Sequence, residues 1–270
     1  MVGRLVVCAT PIGNLGDISE RLAETLRSVD VVFAEDTRRT GILLSHIGAS
    51  PELRSFFVGN EGIRAGEIAA RIADGESVAL VTDAGTPALA DPGVLAVRAA
   101  RESGGVVTVV PGPSAVTAAL AVSGFGGDRF GFEGFLPRKG GDRARRLAAM
   151  AVEDRPVVWF SSPRRVVADL EDLAAHTGDD REVCAARELT KQFEEVWWGS
   201  VRAAVVKWTE TEPRGEFTLV LSPGQPKTVT VEQAVERARS LVETGATRSE
   251  AARTVARETG LPRRTIYDGM

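Results

Sequence analysis

The sequence predicts an α/β protein: a parallel sheet first, a mixed sheet second and a small helical unit last. Three observations carry this prediction. Near-continuous apolar, β-branched runs at 4–10, 29–36, 77–83 and 106–112 alternate with helical segments. Such runs suit parallel strands covered on both faces. A second block, from about 111 to 224, holds more strand-like than helix-like segments. Residues 231–270 contain no such run and read as helices.

The first strand, RLVVCAT (4–10), opens into TPIGNLGD. No G-x-G-x-x-G follows it, which argues against an ordinary dinucleotide site. SERLAETLRS (19–28) is the first helix, and the Ser19 hydroxyl is placed to cap its free amides. VDVVFAED (29–36), AGEIAARIAD (65–74), SVALVTD (77–83), GVLAVRAARES (93–103) and VVTVVPG (106–112) continue the alternation. PSAVTAALAVSG is a helix linking the two sheets. The second block contains DRFGFEGFLPRKGGDRARR (128–146), PVVWFSS (156–162), REVCAARELTKQFEEVWWG (181–199) and GEFTLVLSPG (215–224). PGQPK (223–227) is a linker, and VEQAVERARSLVETG (231–245) a helix. Residues 247–270 form two short helices around Thr259-Gly260-Leu261-Pro262. Ala251, Ala252, Val255, Leu261 and Ile266 would be the core of a helix-turn-helix-like unit. The domain boundaries that follow are 1–112, 113–224 and 228–270.

Composition sets limits. The 270 residues are 43% hydrophobic, enough for sizeable cores. The net charge of −4 gives no general nucleic-acid footprint, so any such surface must be local. The two cysteines, Cys8 and Cys184, and the two histidines, His46 and His176, are isolated, so neither a disulfide framework nor a metal site is expected. MVGRLVVCAT reads as a strand rather than a signal peptide, and no run of 18 apolar residues occurs. A soluble cytoplasmic protein without a membrane partner is expected.

Four loops attract attention. VALVTDAGTPALADPG (78–93) runs from a buried strand into a Gly/Pro/Asp loop, where open α/β sheets bind ligands. ATPIGNLGD (9–17) and VVPGPSA (109–115) repeat the device, although Ser114 also reads as a helix cap. AEDTRRT (34–40) places Glu35 and Asp36 beside Arg38 and Arg39, either a cleft wall or a surface ion-pair cluster. GFLPRKGGDRARR concentrates Arg138, Lys139, Arg143, Arg145 and Arg146 around a Gly-Gly centre, with Asp142 the sole acid of that stretch. A charge run is usually a solvated face, but a dense basic segment in an acidic chain also reads as one adapted to phosphates. The tail from Arg248 to Arg264 is also locally basic, with five arginines against two acids. It reads equally as an RNA- or ribosome-docking module or as a packed hairpin.

In this order ATPIGNLGDIS, AEDTRRT, Asn60-Glu61, VALVTDAGTPALADPG, PGPSA, FEGFLPRK, ARELTK and GEFTLV resemble the tetrapyrrole-methylase superfamily. Its members are S-adenosylmethionine-dependent methyltransferases, and the match is nearest to the branch acting on small-subunit ribosomal RNA. The resemblance covers nearly all of 4–222. It implies two α/β domains with S-adenosyl-L-methionine folded in the cleft between them, and a homodimer. It also implies methyl transfer to the ribose 2′-hydroxyl of a cytidine in the decoding region of 16S rRNA, within the 30S subunit, leaving S-adenosyl-L-homocysteine.

The sequence departs from the pattern at Phe56, Phe57, Val58 and Gly59, and at Phe160-Ser161 and Arg164, where polar residues are usual. By the same resemblance Asp83, Ala84, Gly85, Thr86 and Pro87 cradle the cofactor. Pro11 and Gly13 would line the cleft from the first loop, and Ser114 and Ala115 from the third. Phe160, Ala185, Ala186, Glu216, Phe217 and Thr218 would complete it. A ribose hydroxyl is a poor nucleophile and needs a base or nearby cations. Candidates are Asp17, Glu35, Asp36, Arg38 and Lys139, with Glu35 or Asp36 handling the proton and Arg38 orienting. Two other readings stay open: a methylase of a corrinoid or tetrapyrrole precursor, and a nucleic-acid-binding regulator built on the C-terminal helices.

Overall fold

The computed structural model describes residues 2–224 and 230–270; most of PGQPK and the start of the 228–270 segment lie outside them. Contacts divide the chain into two units, Met1–Gly224 and Gln225–Met270.

The first sheet contains β1 (Arg4–Cys8), β2 (Val31–Ala34), β3 (Glu52–Ser55), β4 (Ser77–Val81) and β5 (Val106–Val110), ordered β3-β2-β4-β1-β5. Every pairing is parallel. The helices between are α1 (Glu20–Ser28), α2 (Thr37–Ile47), α3 (Glu61–Ala73) and α4 (Val94–Glu102). Alternate strand residues face opposite sides of a pleat, so the β-branched runs feed two cores. Val6, Cys8, Val32 and Ala79 pack with Leu22, Leu26, Leu43 and Leu44 of α1 and α2. Leu5, Val31, Phe33 and Val78 pack with Ile68, Ile72, Ala96 and Ala100 of α3 and α4. As anticipated, Ser19 caps α1, accepting from Leu22 N. The sequence reading did not anticipate α2 or β3. β3 is a short edge strand, ELRS, in which no residue is fully buried.

α5 (Ala115–Ser123) carries the chain to the second sheet and buries Val116, Ala119 and Leu120 against it. That sheet contains β6 (Gly131–Phe135), β7 (Val157–Ser161), β8 (Glu182–Arg187), β9 (Glu195–Ser200) and β10 (Phe217–Leu221), ordered β6-β7-β10-β8-β9. It is mixed, as expected: β6 runs parallel to β7 and the other pairings are antiparallel. α6 (Gly141–Val152), α7 (Val166–Thr177) and α8 (Val201–Glu210) help enclose a core containing Trp159, Trp208 and Phe217.

The second unit holds α9 (Val231–Glu243), α10 (Arg248–Thr259) and α11 (Arg263–Gly269). Thr230 and Thr247 form capping boxes with Gln233 and Glu250. Gly260, at φ +71°, ends α10 in the left-handed conformation that glycine adopts without strain. Ala251, Ala252, Val255 and Ile266 are fully buried with Ala234 and Ala238, while Leu261 is half-buried. Among the described residues, no helix is long and apolar enough to cross a membrane.

Candidate active site

Three loops leave the carboxyl ends of β1, β4 and β5, which are neighbours in the sheet. Thr10 and Gly85 exchange backbone hydrogen bonds of 2.9 and 3.1 Å, and the Thr10 hydroxyl donates to Thr82 O at 3.1 Å. Gly85 sits at φ +84°, and a Cβ there would lie 3.5 Å from Ile12 and 3.8 Å from Pro113 O. Gly112 is packed on Ala9, where a Cβ would approach to 3.2 Å. The left-handed φ favours glycine at 85, and at 112 a side chain would fit only if Ala9 gave way slightly. The Gly85 amide and carbonyl are engaged by Thr10.

Opposite these loops stand the ends of β7, β8 and β10. Thr218 pairs with Phe160 on one side and Ala186 on the other, so the three lie in one line on one face. Between the two sheets lies a cavity of about 370 Å³, within the usual size of small-molecule sites. Asp83, Ala84, Gly85, Thr86, Ser114, Ala115, Phe160, Ala186, Glu216, Phe217, Thr218 and Glu35 all line it.

Other expected residues fall elsewhere. Ala185 pairs with Leu219 and points to the opposite face, into the helix-covered core, because side chains alternate along a strand. Pro11 lines a separate, smaller pocket with Leu15, Arg39 and Asp83. Gly13 serves packing: a Cβ there would strike the Lys191 stem. Pro87 does not line the cavity. Asp17 lies exposed in a 3-10 turn, Leu15–Asp17. Asp36 caps α2 and pairs with Arg38 at 2.8 Å, outside the cavity, and Arg38 is 90% exposed. The Arg38 hydrogen bonds hold the Asp36 carboxyl down at about 2, an unsuitable base near neutrality.

The basic segment divides. Arg138, Lys139 and Arg145 are exposed. Arg146 is half-buried between Glu133 and Asp142. Arg143 is buried, with its guanidinium 2.9 Å from Asp169 and 2.7 Å from Asp172, and it donates to Pro137 O at 2.9 Å. An RNA-contact role for Arg143 is thereby corrected to a structural one: the cation is consumed inside the fold.

The structure adds residues that the sequence reading did not select. Thr82, Leu89, Ala90, Asp91, Phe135, Glu188 and Lys191 line the cavity, together with Arg39 of AEDTRRT. Glu35 accepts from the Thr82 hydroxyl at 2.7 Å and the Asp83 amide at 3.4 Å. Asp83 accepts from the Asp36 amide at 2.9 Å and from Arg39 at 3.1 Å. Burial, reinforced by Glu35 and Asp83, pushes the Asp91 carboxyl up to about 6, against the lowering effect of the Thr82 hydroxyl. On the far wall Lys191 bridges Glu188 at 2.9 Å and Glu216 at 2.8 Å. Although burial opposes it, hydrogen bonding from Lys191 holds Glu188 below its usual value. The Asn60-Glu61 motif is structural. Asn60 braces the 55–60 turn through Ser55 and Phe57, and Glu61 accepts from Gly93 N and Leu95 N at the start of α4. Burial raises the Cys8 and Cys184 thiols to about 12 and about 11, so neither is a thiolate at neutral pH.

The cavity thus joins an acidic wall to an apolar centre. Such a donor set fits a ligand with an aromatic ring at one end and positive charge at the other, as S-adenosylmethionine has.

Comparison with known proteins agrees with this geometry. The family model for Tetrapyrrole (Corrin/Porphyrin) Methylases matches residues 4–205. A Synechocystis protein called ribosomal RNA small subunit methyltransferase I is 43% identical, over 98% of this chain and 96% of its own. A Thermotoga maritima protein of the same name is 46% identical, over 82% of this chain and 99% of its own. A solved diphthine synthase shares the fold at a TM-score of 0.63 and 16% identity, covering 82% of this chain and 90% of that one. With a family match across most of its length and close relatives across nearly all of it, the chain belongs to the tetrapyrrole methylases, in the branch called ribosomal RNA small subunit methyltransferase I.

Proposed function

We propose that this methyltransferase moves a methyl group from S-adenosyl-L-methionine to the ribose 2′-hydroxyl of a cytidine in the decoding region of 16S rRNA, within the 30S subunit. One observation carries the reading. The loops that define the resemblance collect around a single cavity, and exposed cations follow closely in sequence from residues lining it. Phe135 and Pro163 line the cavity, while Arg138, Lys139 and Arg164 are exposed.

In this reading Ala84, Thr86, Ser114 and Ala115 hold the donor from one side, and Phe160, Ala186, Phe217 and Thr218 from the other. Bound there, S-adenosylmethionine supplies an electrophilic methyl carbon. The chain's own task is largely to position an oxygen in line with that carbon. The acidic wall of Glu35 and Asp83 favours a cationic donor over its neutral product, S-adenosylhomocysteine. Arg138, Lys139 and Arg145 hold phosphates, which positions RNA without reading its sequence.

A homodimer belongs to the same proposal. β5 ends its sheet with Val106 at 54% and Val109 at 51% exposure, an apolar edge that another copy would cover.

Labelled S-adenosylmethionine, offered with 30S subunits, free 16S rRNA or a tetrapyrrole acceptor, tests the reading. Label is expected in the rRNA of the subunits. Label in the tetrapyrrole, or in none of the three, contradicts it.

A further inference from the structure

We propose that the Asp91 carboxylate accepts the proton of the attacking ribose hydroxyl. The inference rests on the function proposed above and names the base for that reaction.

The cavity carboxylates differ in what already occupies them. Asp83 is paired with Arg39, and Glu188 and Glu216 share Lys191. Glu35 already accepts the Thr82 hydroxyl at 2.7 Å and the Asp83 amide at 3.4 Å. Asp36 faces away, spent on Arg38 and the start of α2. Asp91 lines the cavity, and among the described residues no cation lies within ion-pair distance of it.

Its loop is held rather than loose. Ala88 and Ala90 adopt φ of +68° and +65°, and the turn closes through Ala88 N to Pro92 O at 3.2 Å. Non-glycine residues in this region are strained, and such strain concentrates where a side chain must be aimed. Glu61 clamps the far end of the loop through Gly93 N and Leu95 N.

The neighbouring strand indicates where RNA would enter. A Cβ on Gly134 would lie 3.9 Å from the Ala90 Cβ, so β6 runs alongside the Asp91 loop. The next residue, Phe135, lines the cavity yet is 61% exposed, with its ring 5.4 Å from Phe160. An exposed ring at a cavity mouth is a platform on which an extruded base stacks. A nucleotide resting there has its ribose beside Asp91.

The step balances. The 2′-hydroxyl proton passes to Asp91, the oxygen forms the bond to the methyl carbon, and the carbon–sulfur bond of the sulfonium donor breaks with its electron pair left on sulfur. Asp91 then returns the proton to water. The charged groups facing Asp91 are Glu35 at the end of β2 and Asp83 after β4, with Arg39 of α2 beyond Asp83; β6 brings uncharged Gly134 and Phe135. Both acidic neighbours and burial raise its proton affinity toward the working range of a general base.

Asp91→Asn keeps the shape and removes the base. Single-turnover transfer to 30S subunits between pH 5 and 9 is expected to fall about 100-fold or more and to lose the acid limb that wild type shows near pH 6. Calorimetric affinity for S-adenosylmethionine should stay within about three-fold, a change worth well under one pKa unit of binding energy. Without RNA or cofactor, a second readout follows. Asp91 binds its proton more tightly folded than unfolded, so its contribution favours the fold below the ordinary value of 3.8 and turns against it as the pH rises through about 6. Asp91→Asn should therefore melt about 2–4 °C above wild type at pH 8, with no such gain at pH 4. Asp91→Glu should keep the acid limb and recover rate over Asp91→Asn. Three results overturn the proposal while wild type is active: an Asn variant as fast as wild type, a limb that persists in it, or a rate loss matched by lost cofactor affinity. Wild type that transfers nothing to 30S subunits overturns the functional reading itself, and this proposal with it.

Discussion

At single residues, the chemistry turns on what each polar group is already bound to. Glu35 and Asp36 are adjacent in sequence, yet one meets the Thr82 hydroxyl inside the cavity and the other caps a helix outside it. The strand end places them so, because β2 stops at Ala34 and α2 starts at Thr37. Nothing in the letters Glu-Asp reveals which side of that turn each takes. Gly85 is the opposite case: a glycine between a strand and a proline already signals a turn, and the φ of +84° explains it. Gly85→Val is expected to lower S-adenosylmethionine affinity at least about ten-fold, because a branched residue at this φ strains the loop and presses on Ile12 and Pro113. Calorimetry on the folded variant checks it, and unchanged affinity would show that the Thr10–Gly85 bridge does not shape the site.

Among the elements, the strands declared themselves apart from β3, and several helices did not. RLVVC, VVFA, SVALV and VVTVV are apolar enough to read directly, and all four are strands of one parallel sheet. α6 was hidden because its sequence, GDRARRLAAMAV, drew attention to its charge rather than to Leu147 and Met150, which it buries at one turn's spacing. The same charge misled about Arg143, since burial of an arginine depends on carboxylates 26 and 29 residues away that no local pattern reveals. Arg143→Met should destabilise the protein by about 2–4 kcal/mol, because Asp169 keeps Arg165 and Ser161 but loses its buried partner. Urea unfolding measures this; a cost below about 0.5 kcal/mol, typical of surface changes, would make the pair an exposed one in solution. By contrast, replacing the exposed Arg138, Lys139 and Arg145 with Ala should leave the urea midpoint nearly unchanged. It should also reduce the salt slope of 30S binding by up to about 3, one for each phosphate that is no longer neutralised. An unchanged slope would make these residues an ordinary solvated face.

For the whole molecule, the candidate cavity lies within Met1–Gly224, and Gln225–Met270 is a separate unit with its own small alanine-rich core. The Thermotoga maritima relative is accounted for almost completely by 82% of this chain, a share that leaves out about as much sequence as the C-terminal unit contains. Removing residues 225–270 should therefore leave S-adenosylmethionine binding intact. If the unit docks RNA, the truncated protein should show a raised apparent KM for 30S subunits, and an unchanged KM would assign it to packing alone. The resemblance implied a cleft between the two halves, but the motifs did not tell which side chains line it, because the cavity exists only where the loops of one sheet meet the strand ends of the other. The most direct test of the account is the identity of the product. The rRNA from 30S subunits incubated with the protein and methyl-labelled S-adenosylmethionine is digested completely to nucleosides and resolved by chromatography and mass spectrometry. The account requires the label to sit in 2′-O-methylcytidine; label on a base, on another nucleoside, or absent from the RNA would contradict it.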